Sequence, residues 1–146
     1  MGFLDDINEM ANPSDGESIP KCQRTEHDQF VINCLRANER GDGMLFARML
    51  RGKFAYQRDG KKWLRSDKGS WVPDLYREVI NAVEVCALEY ERVAGSLCPY
   101  DEKTVKDLWS RAWRLRTLRG AKRVLFWAPI VDPTIMCREE DAKRLT

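Results

Sequence analysis

Phe54-Ala55-Tyr56-Gln57-Arg58-Asp59-Gly60-Lys61-Lys62-Trp63-Leu64-Arg65-Ser66-Asp67-Lys68-Gly69-Ser70-Trp71-Val72-Pro73 is the stretch on which the fold class turns. Phe54 and Tyr56 alternate with Ala55 and Gln57, the period of two of a strand, and Arg58-Asp59-Gly60-Lys61 is a turn of residues that tolerate positive φ. A second strand is predicted around Lys62 to Arg65, a turn over Ser66-Asp67-Lys68-Gly69, and a third strand over Ser70-Trp71-Val72, stopped by Pro73, which has no amide donor. A three-stranded meander of this size has to rest on helices. The expected class is therefore α+β, a mostly helical single domain with a small three-stranded antiparallel meander.

Helical spacing flanks the meander on both sides. Thr25 reads as an N-cap with Asp28 three residues on, and Phe30, Val31, Cys34 and Leu35 follow. Gly41-Asp42-Gly43 is predicted to end that helix, with Asp42 capping a second short one through Met44, Leu45, Ala47, Arg48 and Met49 to Gly52. After the meander, Asp74 caps a helix in which Val79, Ile80, Val83, Cys86, Ala87, Tyr90 and Val93 recur, starting at Tyr76 and ending at Gly95. Asp101, after Cys98-Pro99-Tyr100, opens another with Val105, Leu108, Trp109, Ala112, Trp113 and Leu115 on an arc of roughly 160°. Carrying that register further would bury Arg116, Arg119 and Arg123, so a break is expected between Arg116 and Gly120, then a short helix from Ala121 to Trp127 before Pro129. The implied organisation is an arm at 1–24, whose Asn12-Pro13-Ser14-Asp15-Gly16 and Ile19-Pro20 are turn chemistry, a domain at 25–128, and a tail or linker at 129–146 with one charged turn.

With 146 residues, 43% hydrophobic and 33% charged, the chain has apolar surface for one core. No apolar run is long enough to span a membrane, and the acidic start lacks the look of a secretory leader. Cys22, Cys34, Cys86, Cys98 and Cys137 are odd in number and form no Cys-x-x-Cys pair, which reads as free thiols in a reducing cytosol; a cytoplasmic protein is expected. His27, five residues after Cys22, has no second ligand pair for zinc. Gly41-Asp42-Gly43 and Gly120-Ala121-Lys122 lack phosphate-loop spacing, and no serine or cysteine nucleophile motif is present. Asp59, Asp67 and Asp74 sit where turns and caps want aspartate. No cofactor, metal or catalytic residue is assigned.

The net charge of +2 conceals opposed blocks. Residues 1–47 sum to −5, 48–77 to +6, 78–102 to −5 and 103–125 to +7. Two basic blocks on one face would neutralise phosphates of DNA; alternatively each pairs with an acidic helix inside the fold. The candidate phosphate contacts are Lys61, Lys62, Arg65 and Lys68 in the meander and Arg111, Arg114, Arg116, Arg119, Lys122 and Arg123 beyond it. Trp63 and Trp71 either stack unpaired bases or roof the core, the second being favoured, and Trp109 and Trp113 read as core or partner-helix contacts.

Trp63-Leu64-Arg65-Ser66-Asp67-Lys68-Gly69-Ser70-Trp71-Val72-Pro73-Asp74, preceded by Asn38, Phe46, Phe54-Ala55-Tyr56 and Gly60, resembles the helicase-associated domain that lies just ahead of the helicase in phage, plasmid and poxvirus-type primase-helicases. The shared pattern is an Asn-containing helix, an apolar-x-Tyr strand, Trp-x-x-x-Asp-x-x-x-Trp-x-x-Asp and a run of helices. Ser66 stands where an aromatic is frequent and Lys68-Gly69 where Asp-Gly is usual. The likeness is strongest over residues 38–74 and extends to Trp127. It implies a non-catalytic module of a DNA replication protein, linking an upstream primase to a downstream superfamily 3 helicase. DNA and those two domains would be its partners, with a homo-oligomer possible. The alternative is an oligomerisation collar or protein-docking domain without DNA contact.

Overall fold

The structure, a computed structural model, describes residues 25–75, 77–97 and 101–137. The expected arm at 1–24, Tyr76, the Cys98-Pro99-Tyr100 link and the charged turn after Cys137 lie outside the described residues. Among the described residues, six helices and a small sheet form an α+β domain, helical for the most part, in which three antiparallel strands make the expected meander.

Helix α1, Glu26–Arg36, begins as its sequence predicts, with the Thr25 side chain accepting from the Asp28 amide at 2.9 Å. It ends earlier than Gly41. The chain turns at Ala37 and Asn38, where Asn38 takes φ 59°, and helix α2, Asn38–Leu50, runs straight through Gly41-Asp42-Gly43. Asparagine is among the few non-glycine residues that enter the left-handed region readily. The two glycines serve packing rather than turning. A Cβ at Gly41 would stand 1.8 Å from the Cys34 carbonyl oxygen, and one at Gly43 would stand 2.9 Å from backbone atoms of Trp127 and Ala128.

Strands β1 (Phe54–Gln57), β2 (Lys62–Asp67) and β3 (Ser70–Pro73) pair antiparallel, Tyr56 opposite Trp63 and Ser66 opposite Trp71. β2 is two residues longer than predicted because Asp67 pairs with Ser70, leaving only Lys68 (φ 53°) and Gly69 (φ 84°) in the turn. Both central residues at positive φ match the twist of a two-residue hairpin. Trp63 lies edge-on to Phe46 of α2 and to Tyr56, and Trp71 packs on Ala55 and Leu64. Trp63 thus fastens the sheet to α2, whereas Trp71 covers a small apolar cluster within the sheet itself.

The helix predicted from Tyr76 to Gly95 is two pieces, α3 (Glu78–Ala82) and α4 (Glu84–Leu97), joined where the Val83 amide reaches Ile80 rather than a residue four back. Asp74 caps α3, its carboxylate accepting from the Glu78 and Val79 amides at 3.0 and 2.8 Å. Gly95 does not stop α4; it lies inside it with open space around its α-carbon. Helix α5, Glu102–Leu115, is capped by Asp101, and helix α6, Leu118–Val131, by Thr117, whose hydroxyl accepts from the Gly120 amide at 3.0 Å. The break thus falls where expected, but α6 is longer than predicted at both ends. Gly120 lies within its first turn, and Pro129 is buried in its last one, where a missing donor forfeits a single helical bond. Beyond α6, Pro133–Ile135 makes a 3-10 turn and β4, Met136–Cys137, joins β1 in parallel, giving the order β3-β2-β1-β4. These residues belong to the folded body, not to a linker.

The core gathers Leu45 and Phe46 from α2, Tyr90 and Val93 from α4, Leu108 and Ala112 from α5, and Val124 and Ala128 from α6. Close helix contact through Gly43 makes a signed prediction: Gly43→Ala should destabilise by about 1–3 kcal/mol through overpacking. Gly95→Ala, in open helical space, should stabilise by ~0.5–1 kcal/mol. Urea unfolding midpoints of the two variants would move in opposite directions.

Candidate nucleic-acid interface

Asp42 is the least expected residue in the core, 4% exposed in the middle of α2. Its Oδ1 accepts from the Tyr90 hydroxyl at 2.6 Å and from Arg111 Nη1 at 2.8 Å, while Arg111 Nη2 reaches Asn38 Oδ1 at 3.2 Å. Burial pushes the Asp42 carboxyl up from its ordinary range, and Arg111, the Tyr90 hydroxyl and the nearby Arg114 pull it back. Burial likewise raises the Tyr90 hydroxyl, and it raises the Cys34 thiol to about 12, with the Asp42 charge adding to both shifts. Cys34 and Cys86 are buried free thiols held far from their reactive form.

This pair corrects two expectations. Asp42 is not a helix cap. Arg111 is not an open phosphate contact, because it is 8% exposed and committed to Asp42. It also sets how α5 is rolled. The buried residues of α5 are Thr104, Leu108, Arg111, Ala112 and Leu115, a stripe rotated by about 70° from the predicted one. Trp109 and Trp113 are consequently outside, at 49% and 76% exposure, and are not core residues.

Three further candidate cations are held by carboxylates. Arg116 spans two glutamates of α4, with Nε 2.9 Å from Glu84 Oε1, Nη2 3.0 Å from Glu91 Oε1, and Nη1 on the other Glu91 oxygen. Those bonds hold the Glu91 carboxyl below its ordinary range. Arg123 meets Glu39 at 3.0 Å, and Arg65 lies between Glu78 at 3.6 Å and Asp67 at 3.9 Å, its Nε without a hydrogen-bond partner among the described residues. The pairing of basic segments with acidic helices therefore accounts for four of the ten candidates.

The other six are exposed: Lys61, Lys62, Lys68, Arg114, Arg119 and Lys122. No hydrogen bond or ion pair to a carboxylate holds them among the described residues. They do not all meet. Lys61 and Lys62 stand at the β1–β2 turn and Lys68 at the opposite end of β2, about 20 Å away along a six-residue strand. No hydrogen bond, ion pair or ring contact joins these lysines to α5 or α6 among the described residues.

Convergence occurs elsewhere. A cleft of about 320 Å³ opens between the α1–α2 junction and α5; Leu35, Arg36 and Asn38 form one wall, and Thr104, Asp107, Ser110, Arg111 and Arg114 the other. Asp42 offsets Arg111 from behind, and Asp107 is bonded to Lys103 at 3.1 Å. Arg36 and Arg114 are left exposed at its rim, with no carboxylate bonded to either among the described residues. Next along α2, Glu39 bonds Arg123 and the Trp127 indole, and exposed Arg40 lies over the Trp127 ring at 5.1 Å, which ties this junction to α6. Arg36 and Arg40 were missed because they lie in a block whose sum is negative. The signal was available in Arg36-Ala37-Asn38-Glu39-Arg40 itself, where two arginines flank a residue suited to a turn. His27 is an ordinary structural group that meets Glu89 at 2.7 Å.

No family model, curated protein or solved structure matches the chain.

The Asp42–Arg111 pair predicts strong non-additivity. Asp42→Leu or Arg111→Met alone strands a buried charge and should cost about 3–5 kcal/mol, whereas Asp42→Leu combined with Arg111→Met should lose far less than the sum. Chemical denaturation of the four proteins of that cycle measures it.

Proposed function

We propose that this chain is a non-catalytic, DNA-engaging module of a phage-type DNA replication primase-helicase, working in the cytoplasm between an upstream primase and a downstream superfamily 3 helicase. The observation that carries the DNA part is the cleft at the α1–α2 junction, where Arg36 and Arg114 are exposed with no carboxylate bonded to them among the described residues, while neighbouring Asp42 and Asp107 are occupied by Arg111 and Lys103. Arg119 and Lys122, exposed on α6, are further cations available to phosphate. The replication context rests on the resemblance of residues 38–74. Its Trp and Asp positions have structural tasks here: Trp63 anchors the sheet on α2, Trp71 covers Ala55 and Leu64 within the sheet, Asp67 closes the hairpin and Asp74 caps α3.

Four contacting cations give a salt slope of about −3 to −4 in log affinity against log salt. Fluorescence anisotropy over a salt series should find this slope, and Arg36→Ala with Arg114→Ala should flatten it by about 1.5–2. Absence of affinity at low salt would refute the reading.

A second reading, the collar without DNA contact, is favoured by a different observation. Phe126 and Ile130, neighbours one turn apart near the end of α6, are 63% and 51% exposed, and Leu118 at its start is 59% exposed. Sedimentation velocity decides it. A collar should self-associate, and Phe126→Asp should return it to monomer, whereas a wild-type chain that is monomeric at high concentration excludes it.

A further inference from the structure

We infer that the outward face of α5 selects single-stranded nucleic acid, with Trp109 and Trp113 stacking on unpaired bases while Arg114 and Arg36 hold the neighbouring phosphates. This inference rests on the DNA-binding reading and names the strand form that the site takes.

Packing does not account for the two tryptophans. The core uses the stripe through Leu108, Arg111 and Ala112, so Trp113 has about three quarters of its surface in water and Trp109 about half. Neither indole makes a ring contact or hydrogen bond among the described residues. They stand one helical turn apart, about 6 Å along the axis. Bases stacked within one strand of a duplex are 3.4 Å apart. A strand seated on both rings must therefore present separated, unpaired base faces, which a duplex offers only by melting.

The charge beside this ridge is one-sided. Ser110 is three residues before Trp113 and four before Arg114, so the tryptophan ridge and the cleft rim share a border on the helix surface. Exposed Lys106 lies at helical-neighbour spacing from both Trp109 and Ser110. On the opposite flank Arg116 is shared by two carboxylates, Glu84 and Glu91, a cluster left with a net negative charge, whereas Asp107 on the cleft side is matched by Lys103. A polyanionic backbone is thus steered to the cleft side with its bases over the indoles. That complementarity selects a nucleic acid over an apolar protein helix, which would gain nothing from the cations.

The test compares an oligothymidylate of about 16 nucleotides with a duplex of equal length at low salt, by anisotropy and by quenching of tryptophan fluorescence. The wild-type chain should bind the single strand more tightly and be quenched by it. Trp109→Ala and Trp113→Ala should each weaken single-strand binding by roughly 5- to 100-fold and leave duplex binding unchanged. Trp→Phe at both positions keeps a stacking ring and should retain most of the affinity, and it serves as the folded control. Binding of single strand and duplex with equal affinity, unaffected by the alanine variants, overturns the inference and leaves DNA binding standing. Binding of neither overturns both. Self-association abolished by the alanine variants with DNA affinity unchanged assigns the ridge to a second copy and also overturns it.

Discussion

The buried pair of Asp42 and Arg111 is the constraint from which the rest of the arrangement follows. A carboxylate and a guanidinium taken out of water attract strongly but gain little net stability, whereas either one alone in the interior is severely unfavourable. Every packing of α2 against α5 that separates them is therefore penalised far more than the pair itself contributes. Tyr90 from α4 donates to the same Asp42 oxygen, so three helices are tied at one point. Asn38, at the strained start of α2, takes a second nitrogen of Arg111 and brings the α1–α2 junction to the same knot.

The knot has a consequence at the surface. With Arg111 turned inward, α5 rolls so that Trp109 and Trp113 face water and Arg114 faces the cleft. The feature that settles the interior thus also composes the exterior, and a charged residue displaces two of the largest apolar ones from the core. Gly41 and Gly43 permit this arrangement by letting the backbone of α2 approach Cys34 and α6 more closely than any side chain would allow.

The charge segregation along the chain resolves into two kinds of partnership. Cations that meet acidic neighbours become structural: Arg116 clamps α5 to α4, Arg123 joins α6 to α2, and Arg92 joins α4 to α1 through Asp28. The cations left over are exposed, and it is on these that the proposed contact with DNA rests. Summation over segments treats both kinds alike, which is why the candidate set held residues of each.

Local chemistry was legible where neighbours in sequence are neighbours in space. The caps Thr25, Asp74 and Asp101, the break after Arg116 and the three-strand meander with its tryptophans follow from spacing alone, because each rests on bonds within a few residues. What Gly41-Asp42-Gly43 does was not legible there, since a glycine that frees a turn and a glycine that admits a neighbouring helix are identical in one dimension. Nor was the roll of α5: the wider apolar stripe looked better until Asp42, 69 residues earlier, supplied the charge that lets Arg111 be buried. Short-range hydrogen bonding was thus written in the chain. Which of its arginines carry the fold and which face outward was decided only when distant carboxylates arrived beside them, because the free energy of a buried charge depends on its partner and not on its sequence neighbours.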